Sequence, residues 1–250
     1  MIRSIPFWIL IEVLSLSACN SGTDSDTGQV GVAGISVASK PQSSTSGPEA
    51  KSATTSEVIS NPAHELMTQT APDTFKVLFH TSAGDFVVQV NREWAPIGSE
   101  RFYNLIINKY YDQNYFFRVA PGRGADRFVV QWGIHGDPSI NTAYQRSPDA
   151  KIKDDPVIRS NTRGRLTFAT AGRNSRTTQL FISYADNNFL DGMGFAAFGE
   201  VIDGGMKVVE AINGEYAERP DQRQIQNNGN AYLKKNFPNL DYIITATIVE

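Results

Sequence analysis

The sequence predicts a mainly β protein, a closed antiparallel barrel of about eight strands capped by two α-helices. Three observations carry that expectation. Short apolar runs recur from Phe75 to the last residues, turn-forming residues separate them, and helical spacing is confined to two segments. Phe75, Val77 and Phe79 alternate with Lys76, Leu78 and His80, and Phe86, Val88 and Val90 resume the alternation after Ser82-Ala83-Gly84-Asp85. That pattern is a hairpin. Pro96 suits the first turn of a helix, and Phe102, Leu105 and Ile106 then fall at i, i+3 and i+4 on one buried face. Apolar runs at 116–119, 128–132, 166–170, 180–183 and 195–201 are expected as strands. Met206, Val209 and Ile212, just after Gly204-Gly205, give the second helix, and the β-branched segment DYIITATIVE gives the closing strand.

Composition narrows the chemistry. A chain of 250 residues with 40% hydrophobic content can build a sizeable core. Its net charge of -3 offers no basic footprint for a phosphate backbone, so nucleic acid is not an expected partner. One cysteine and three scattered histidines (His64, His80, His135) leave little for a metal and no intramolecular disulfide; no metal and no cofactor is expected. The sequence contains no GxSxG elbow, no HExxH and no phosphate loop, which removes the common nucleophilic and metal-assisted hydrolyses. Asp154-Asp155 in a KDDP turn is expected to be solvated, and His135 in GIHGDP to be a loop or cap residue.

The aromatic residues divide the chain. Phe7 and Trp8 lie in the first segment, none occurs from Asn20 to Pro72, and all others lie beyond. The middle stretch is dominated by Ser, Thr, Gly, Ala and Pro, which cannot bury enough apolar surface to offset the entropy of ordering it. Residues 19–72 are therefore expected to be a tether and 73–250 the folded domain. Residues 1–18 combine a basic start at Arg3 with an apolar run from Ile5 to Leu16, too short to cross a bilayer and shaped like a secretion signal. Leu16-Ser17-Ala18-Cys19 resembles the bacterial lipobox, with Glu12 a departure inside the apolar run. The resemblance implies that Cys19 becomes a lipid-modified first residue, anchoring a cell-envelope lipoprotein to a membrane. Asn20-Ser21, lacking aspartate, implies the outer membrane, with the domain facing the periplasm.

Four ordered segments carry a further resemblance: APIGSERFYNLIINKYYDQNYFFRVAPG (95–122), FVVQWG (128–133), FATAGRNSRTTQLFI (168–182) and FLDGMGFAAFGEV (189–201). Together they resemble the cyclophilin family of peptidyl-prolyl cis-trans isomerases. The resemblance implies an eight-stranded antiparallel barrel with two capping helices and a substrate groove on its outer face. It implies Arg118 as the catalytic arginine and Gln131 as a polar orienting residue beside it. Phe128, Val129, Phe181 and Leu190 match the walls of a proline pocket. Ala169 and Thr170 match the stretch that pairs with the substrate backbone. Phe189 stands where cyclosporin-sensitive members usually carry tryptophan, and Phe195 roughly where many carry a pocket-lining histidine. The implied partners are proline-containing polypeptides, here exported ones, and the implied state is a monomer without cofactor.

Two insertions depart from the family pattern. Arg123 to Arg127 separate Gly122 from Phe128, and a polar segment at 213–239 precedes the last strand. In the latter, KNFPN is expected to cap the barrel, and the rest reads as a partner-binding loop or as a helix with a charged face. A second functional reading, a non-catalytic proline-peptide binding module or scaffold lipoprotein, rests on the 123–127 insertion, which would disturb Arg118 while leaving the apolar pocket.

Overall fold

The computed structural model describes residues 53–122 and 126–250. The signal segment, Cys19 and most of the expected tether lie outside these residues, as do Arg123, Gly124 and Ala125. The first element is α1 (Thr55–Ile59), closed by a capping box between Thr54 and Glu57 and followed by a 3-10 turn at Glu65–Met67. Val58, Ile59, Met67 and Ala71 are buried in the main core, so the tether reading fails for the last part of 19–72. Composition misses this strap because polar bonds hold it. Asn104 accepts from the Gln69 N–H at 2.9 Å and donates to the Gln69 carbonyl at 2.7 Å, while Asn108 donates to the Leu66 carbonyl.

The expected hairpin is β1 (Thr74–Thr81) and β2 (Gly84–Asn91), with Phe75, Val77, Phe79, Phe86, Val88 and Val90 all buried. Register places Phe79 opposite Phe86, and their rings stack with centroids 4.9 Å apart. α2 (Pro96–Ile107) buries Phe102, Leu105 and Ile106 as its spacing requires. This helix has no side-chain cap of its own. Asp155 supplies one from a distant loop, accepting from the N–H groups of Ile97 and Gly98 at 2.9 and 2.8 Å. Asp155 is buried and forms an ion pair with buried Arg176 at 3.0 Å, which corrects the expectation of a solvated KDDP turn.

The remaining elements are β3 (Arg118–Pro121), β4 (Arg127–Trp132), α3 (Pro138–Arg146), β5 (Arg165–Phe168), β6 (Leu180–Ser183), β7 (Ala197–Ile202), α4 (Met206–Ala211), α5 (Gln222–Asn236) and β8 (Ile243–Val249). The strands form one curled eight-stranded antiparallel sheet in the order β3-β4-β6-β5-β7-β2-β1-β8. The expected closed barrel is not completed by a ladder. Its two edges meet at one isolated bridge, Tyr115 with Tyr242, flanked by bonds from Phe116 N–H to Asp241 and from Ile243 N–H to Asn114. The strand expected from Phe116 begins only at Arg118, and Val119 N–H donates to Ala217 in the 213–239 insertion. Inserted chain thus covers the edge that would otherwise stand open.

Five α-helices occur among the described residues, where the sequence pattern suggested two. α2 and α4 are the expected pair; α1, α3 and α5 are additional. α3 and α5 lack a long apolar stripe and hold each other through polar groups. Asn141 donates to the Gln226 carbonyl, Gln145 donates to the Gln226 side chain, and Asn230 N–H donates to the Gly136 carbonyl. Gly229, at φ 57° and ψ -149°, kinks α5 against Gly136, where any Cβ would strike that carbonyl. Of the readings for 213–239, a helix is present, and Phe237 and Leu240 around the FPN segment pack in a separate apolar cluster with Tyr115, Phe117, Tyr216, Ile225 and Leu233.

Candidate active site

Strand register builds the site. Arg118 on β3 lies opposite Gln131 on β4, Gln131 lies opposite Phe181 on β6, and Phe181 lies opposite Thr167 on β5. One cross-strand row therefore carries a cation, an amide, an aromatic ring and a hydroxyl on the same face of the sheet. Arg118 Nη1 donates to Gln131 Oε1 at 2.8 Å, and Gln131 Nε2 donates to Gln179 Oε1 at 2.8 Å. Gln131 thereby fixes the guanidinium while its own amide is held from the other side.

The apolar part of the site is a cluster distinct from the main core. Phe128, Val129, Phe181, Leu190 and Phe195 pack together with Ala120, and Ala169 lies against them. Phe181 and Phe195 meet edge to face with centroids 5.8 Å apart. Phe189 stacks on Phe128 at 5.7 Å yet stays 56% exposed, forming an apolar rim. Leu190 and Phe195 belong to a turn pinned by fully buried Asn161. Its side chain accepts from Thr167 Oγ1 and donates to Asp191 and to the Phe195 carbonyl, and Asp191 also accepts from the Asn161 N–H. Burial opposes the charge on Asp191, but hydrogen bonds from Ser160 and Asn161 prevail and hold its carboxyl below the usual aspartate value.

Of the expected site residues, Arg118 and Gln131 bond to each other, Phe128, Val129, Phe181, Leu190 and Phe195 share one cluster with Ala169 against it, and Cys19 lies outside the described residues. Ala169 N–H is already committed to the Gln179 carbonyl, so it is not free to receive a peptide. Thr170 Oγ1 is engaged with the Gly172 carbonyl and with Ser175, which shapes the adjoining 170–175 loop. At the other insertion, Gly122 N–H donates to the Asp126 carbonyl, and Arg127 reaches the Glu210 and Ile212 carbonyls at the end of α4. These bonds tie Asp126 and Arg127, the described end of the insertion, to the end of β3 and to the end of α4.

Sequence reasoning missed Glu218. Its Oε1 accepts from Arg118 Nε at 2.8 Å and from Nη2 at 2.5 Å, and Arg118 is only 5% exposed. Gln179 and Asn161 were also missed as supports; the Gln in the Gln-x-Phe-Ile segment was a visible signal for the first, and nothing local marked the second.

Comparison with known proteins identifies the family. A family model described as cyclophilin type peptidyl-prolyl cis-trans isomerase/CLD matches residues 76–230. Peptidyl-prolyl cis-trans isomerase B of Escherichia coli is 32% identical over 156 residues, which cover 59% of this chain and 90% of that protein. Peptidyl-prolyl cis-trans isomerase A of Dickeya dadantii is 35% identical over 142 residues, covering 55% of this chain and 70% of that one. The crystal structure of a cyclophilin type isomerase from Cryptosporidium parvum superposes with a TM-score of 0.50 at 20% identity, covering 71% of this chain and 98% of its own, a likeness of fold.

Proposed function

This chain belongs to the cyclophilin-type peptidyl-prolyl cis-trans isomerase family, and from that premise we propose that it isomerises X-Pro bonds at the outer face of β4 and β6. The observation that carries the reading is Arg118, held by Gln131 at the edge of the pocket formed by Phe128, Val129, Phe181, Leu190 and Phe195. Rotation about an X-Pro bond faces about 18–20 kcal/mol because the amide must lose its resonance. At the twisted state the prolyl nitrogen turns pyramidal and gains a lone pair. A guanidinium presents a rigid fork of donors, so Arg118 can hydrogen-bond that nitrogen while staying near the carbonyl oxygen.

The apolar pocket keeps the proline ring still while the preceding carbonyl swings, and Ala169 and Thr170 border the rest of the peptide. Moving from an uncatalysed time of tens of seconds to a turnover of roughly 10³ s⁻¹ requires about 6 kcal/mol of selective stabilisation. One cation aimed at the developing lone pair, with the ring fixed and water excluded, is sufficient for that scale.

We further propose, from the LSAC segment at 16–19, that Cys19 is lipidated and that the domain works in the periplasm on exported polypeptides, anchored to the outer membrane. Arg118, Gln131 and the apolar cluster all come from one chain, which supports action as a monomer. The test of function is an isomerisation assay of the full chain on a short X-Pro peptide, beside a binding measurement on the same peptide. Acceleration over the spontaneous rate is expected. Binding by the folded chain without acceleration would leave the proline-peptide binding module instead.

A further inference from the structure

Glu218 sits in the inserted segment and has no task in the reading above. We infer that Glu218 is the positioning residue for Arg118, an inference that rests on Arg118 performing the proposed chemistry. A guanidinium has five N–H groups. Glu218 takes one on Nε and one on Nη2, and Gln131 takes one on Nη1, so a single N–H remains on each terminal nitrogen. Two donors on adjacent nitrogens are what the twisted amide asks for: one for the prolyl nitrogen and one for the carbonyl oxygen. Without Glu218 the flexible arginine side chain would be held at Nη1 alone, free to swing the remaining donors away from the reacting atoms.

The backbone around Glu218 is built to hold it there. Ala217, immediately before it, adopts φ 51°, a left-handed conformation unfavourable to a residue with a Cβ. That turn lets the Ala217 carbonyl accept from Val119 N–H, the residue next to Arg118, and directs Glu218 onto the guanidinium. On the other side Tyr216 packs edge to face on Phe237 at 5.1 Å, and Arg219 lies over the Tyr216 ring at 4.9 Å. The segment is anchored in its own apolar cluster through Tyr216, Ile225 and Leu240, so the carboxylate arrives from a fixed frame. The side chain of Glu218 is itself 44% exposed while that of Arg118 is 6% exposed, so truncating Glu218 opens no cavity but leaves a buried guanidinium without its carboxylate, and a lower melting temperature is expected beside the kinetic effect.

The test measures kcat and KM on one X-Pro peptide for the full chain and for Glu218→Ala, Glu218→Leu, Glu218→Gln and Arg118→Ala, with melting temperatures compared. Glu218→Ala and Glu218→Leu are expected to lower kcat about tenfold to thirtyfold with KM within about twofold, the signature of an interaction used in the transition state. Glu218→Gln keeps an acceptor oxygen and should recover most of the rate. In an Arg118→Ala background, Glu218→Ala should cost nothing further. Unchanged kcat in the Ala and Leu variants, a faster enzyme, or additive losses would overturn the inference; a faster enzyme would make Glu218 a competitor for Arg118. Wild-type rates in Arg118→Ala would instead overturn the reading of Arg118 itself.

Discussion

Val129 and Val130 are neighbours on one strand and both are fully buried, yet they belong to different parts of the molecule. Val130, with Trp132, faces the main core, where Trp132 meets Phe79 and Phe116 edge to face. Val129 faces the other way into the cluster with Phe181 and Leu190, and Gln131 on the same side reaches Arg118. The period of two sends alternate residues to a frame and to a site. Burial alone does not tell them apart; the cluster each one joins does.

Changes confined to the frame should cost stability and spare catalysis. The largest expected effect is Asp155→Asn, which takes from buried Arg176 the closer of its two carboxylates, leaving Asp154 at 3.5 Å, and weakens the cap on α2. A loss of about 3–5 kcal/mol in denaturant unfolding is expected, with kcat per folded molecule unchanged. A kcat that falls with the fold intact would erase the division. The adjacent valines sharpen it. Val129→Ala and Val130→Ala each remove buried carbons and should each cost about 2 kcal/mol of stability. KM for the X-Pro peptide should rise only in Val129→Ala; equal KM values in the two variants would mean that the outer cluster is not the proline pocket.

Smaller effects probe the rim and the periphery. Phe189 supplies a ring but no N–H donor, so cyclosporin should inhibit weakly, and Phe189→Trp should strengthen inhibition while leaving stability within about 0.5 kcal/mol. Nanomolar inhibition of the unaltered chain would contradict the assignment of Phe189. Smallest is a pH effect on the frame. Burial pushes the His135 imidazole below its ordinary value, so the unfolded chain binds the proton more readily than the folded one. Stability should therefore fall as pH drops below about 6.5 and continue falling until the folded-state imidazole is itself protonated. His135→Gln should flatten that part of the stability profile, whereas an unchanged profile would assign it to other groups.

How much of this was legible depended on how locally each feature is encoded. The β1–β2 hairpin and the α2 face follow from periodicity, since Phe79, Phe86, Phe102 and Leu105 each signal their side through near neighbours. Family resemblance drew attention to Arg118, Gln131 and the outer apolar cluster, and strand register accounts for why they meet. The strap at 55–72 was not legible, because Asn104 and Asn108 hold it from α2 by hydrogen bonds that composition does not register. α5 was obscured by its polar sequence and by Gly229. Asp155 looked solvated because its partners, Ile97, Gly98 and Arg176, are set by the tertiary fold. Glu218 lies 100 residues from Arg118 in a polar segment without periodicity, and only the folded insertion brings the two together.

The central claim is that Arg118 stabilises the twisted amide, while the outer cluster holds the ring. The most direct test is an exchange measurement by NMR of the cis and trans forms of an X-Pro peptide bound to the wild-type chain and to Arg118→Ala, with matched circular dichroism. The account predicts that Arg118→Ala binds the peptide within a few-fold of wild type but interconverts it a hundredfold or more slowly, about 3 kcal/mol of transition-state stabilisation lost. Bound-state interconversion at the wild-type rate in Arg118→Ala would contradict it.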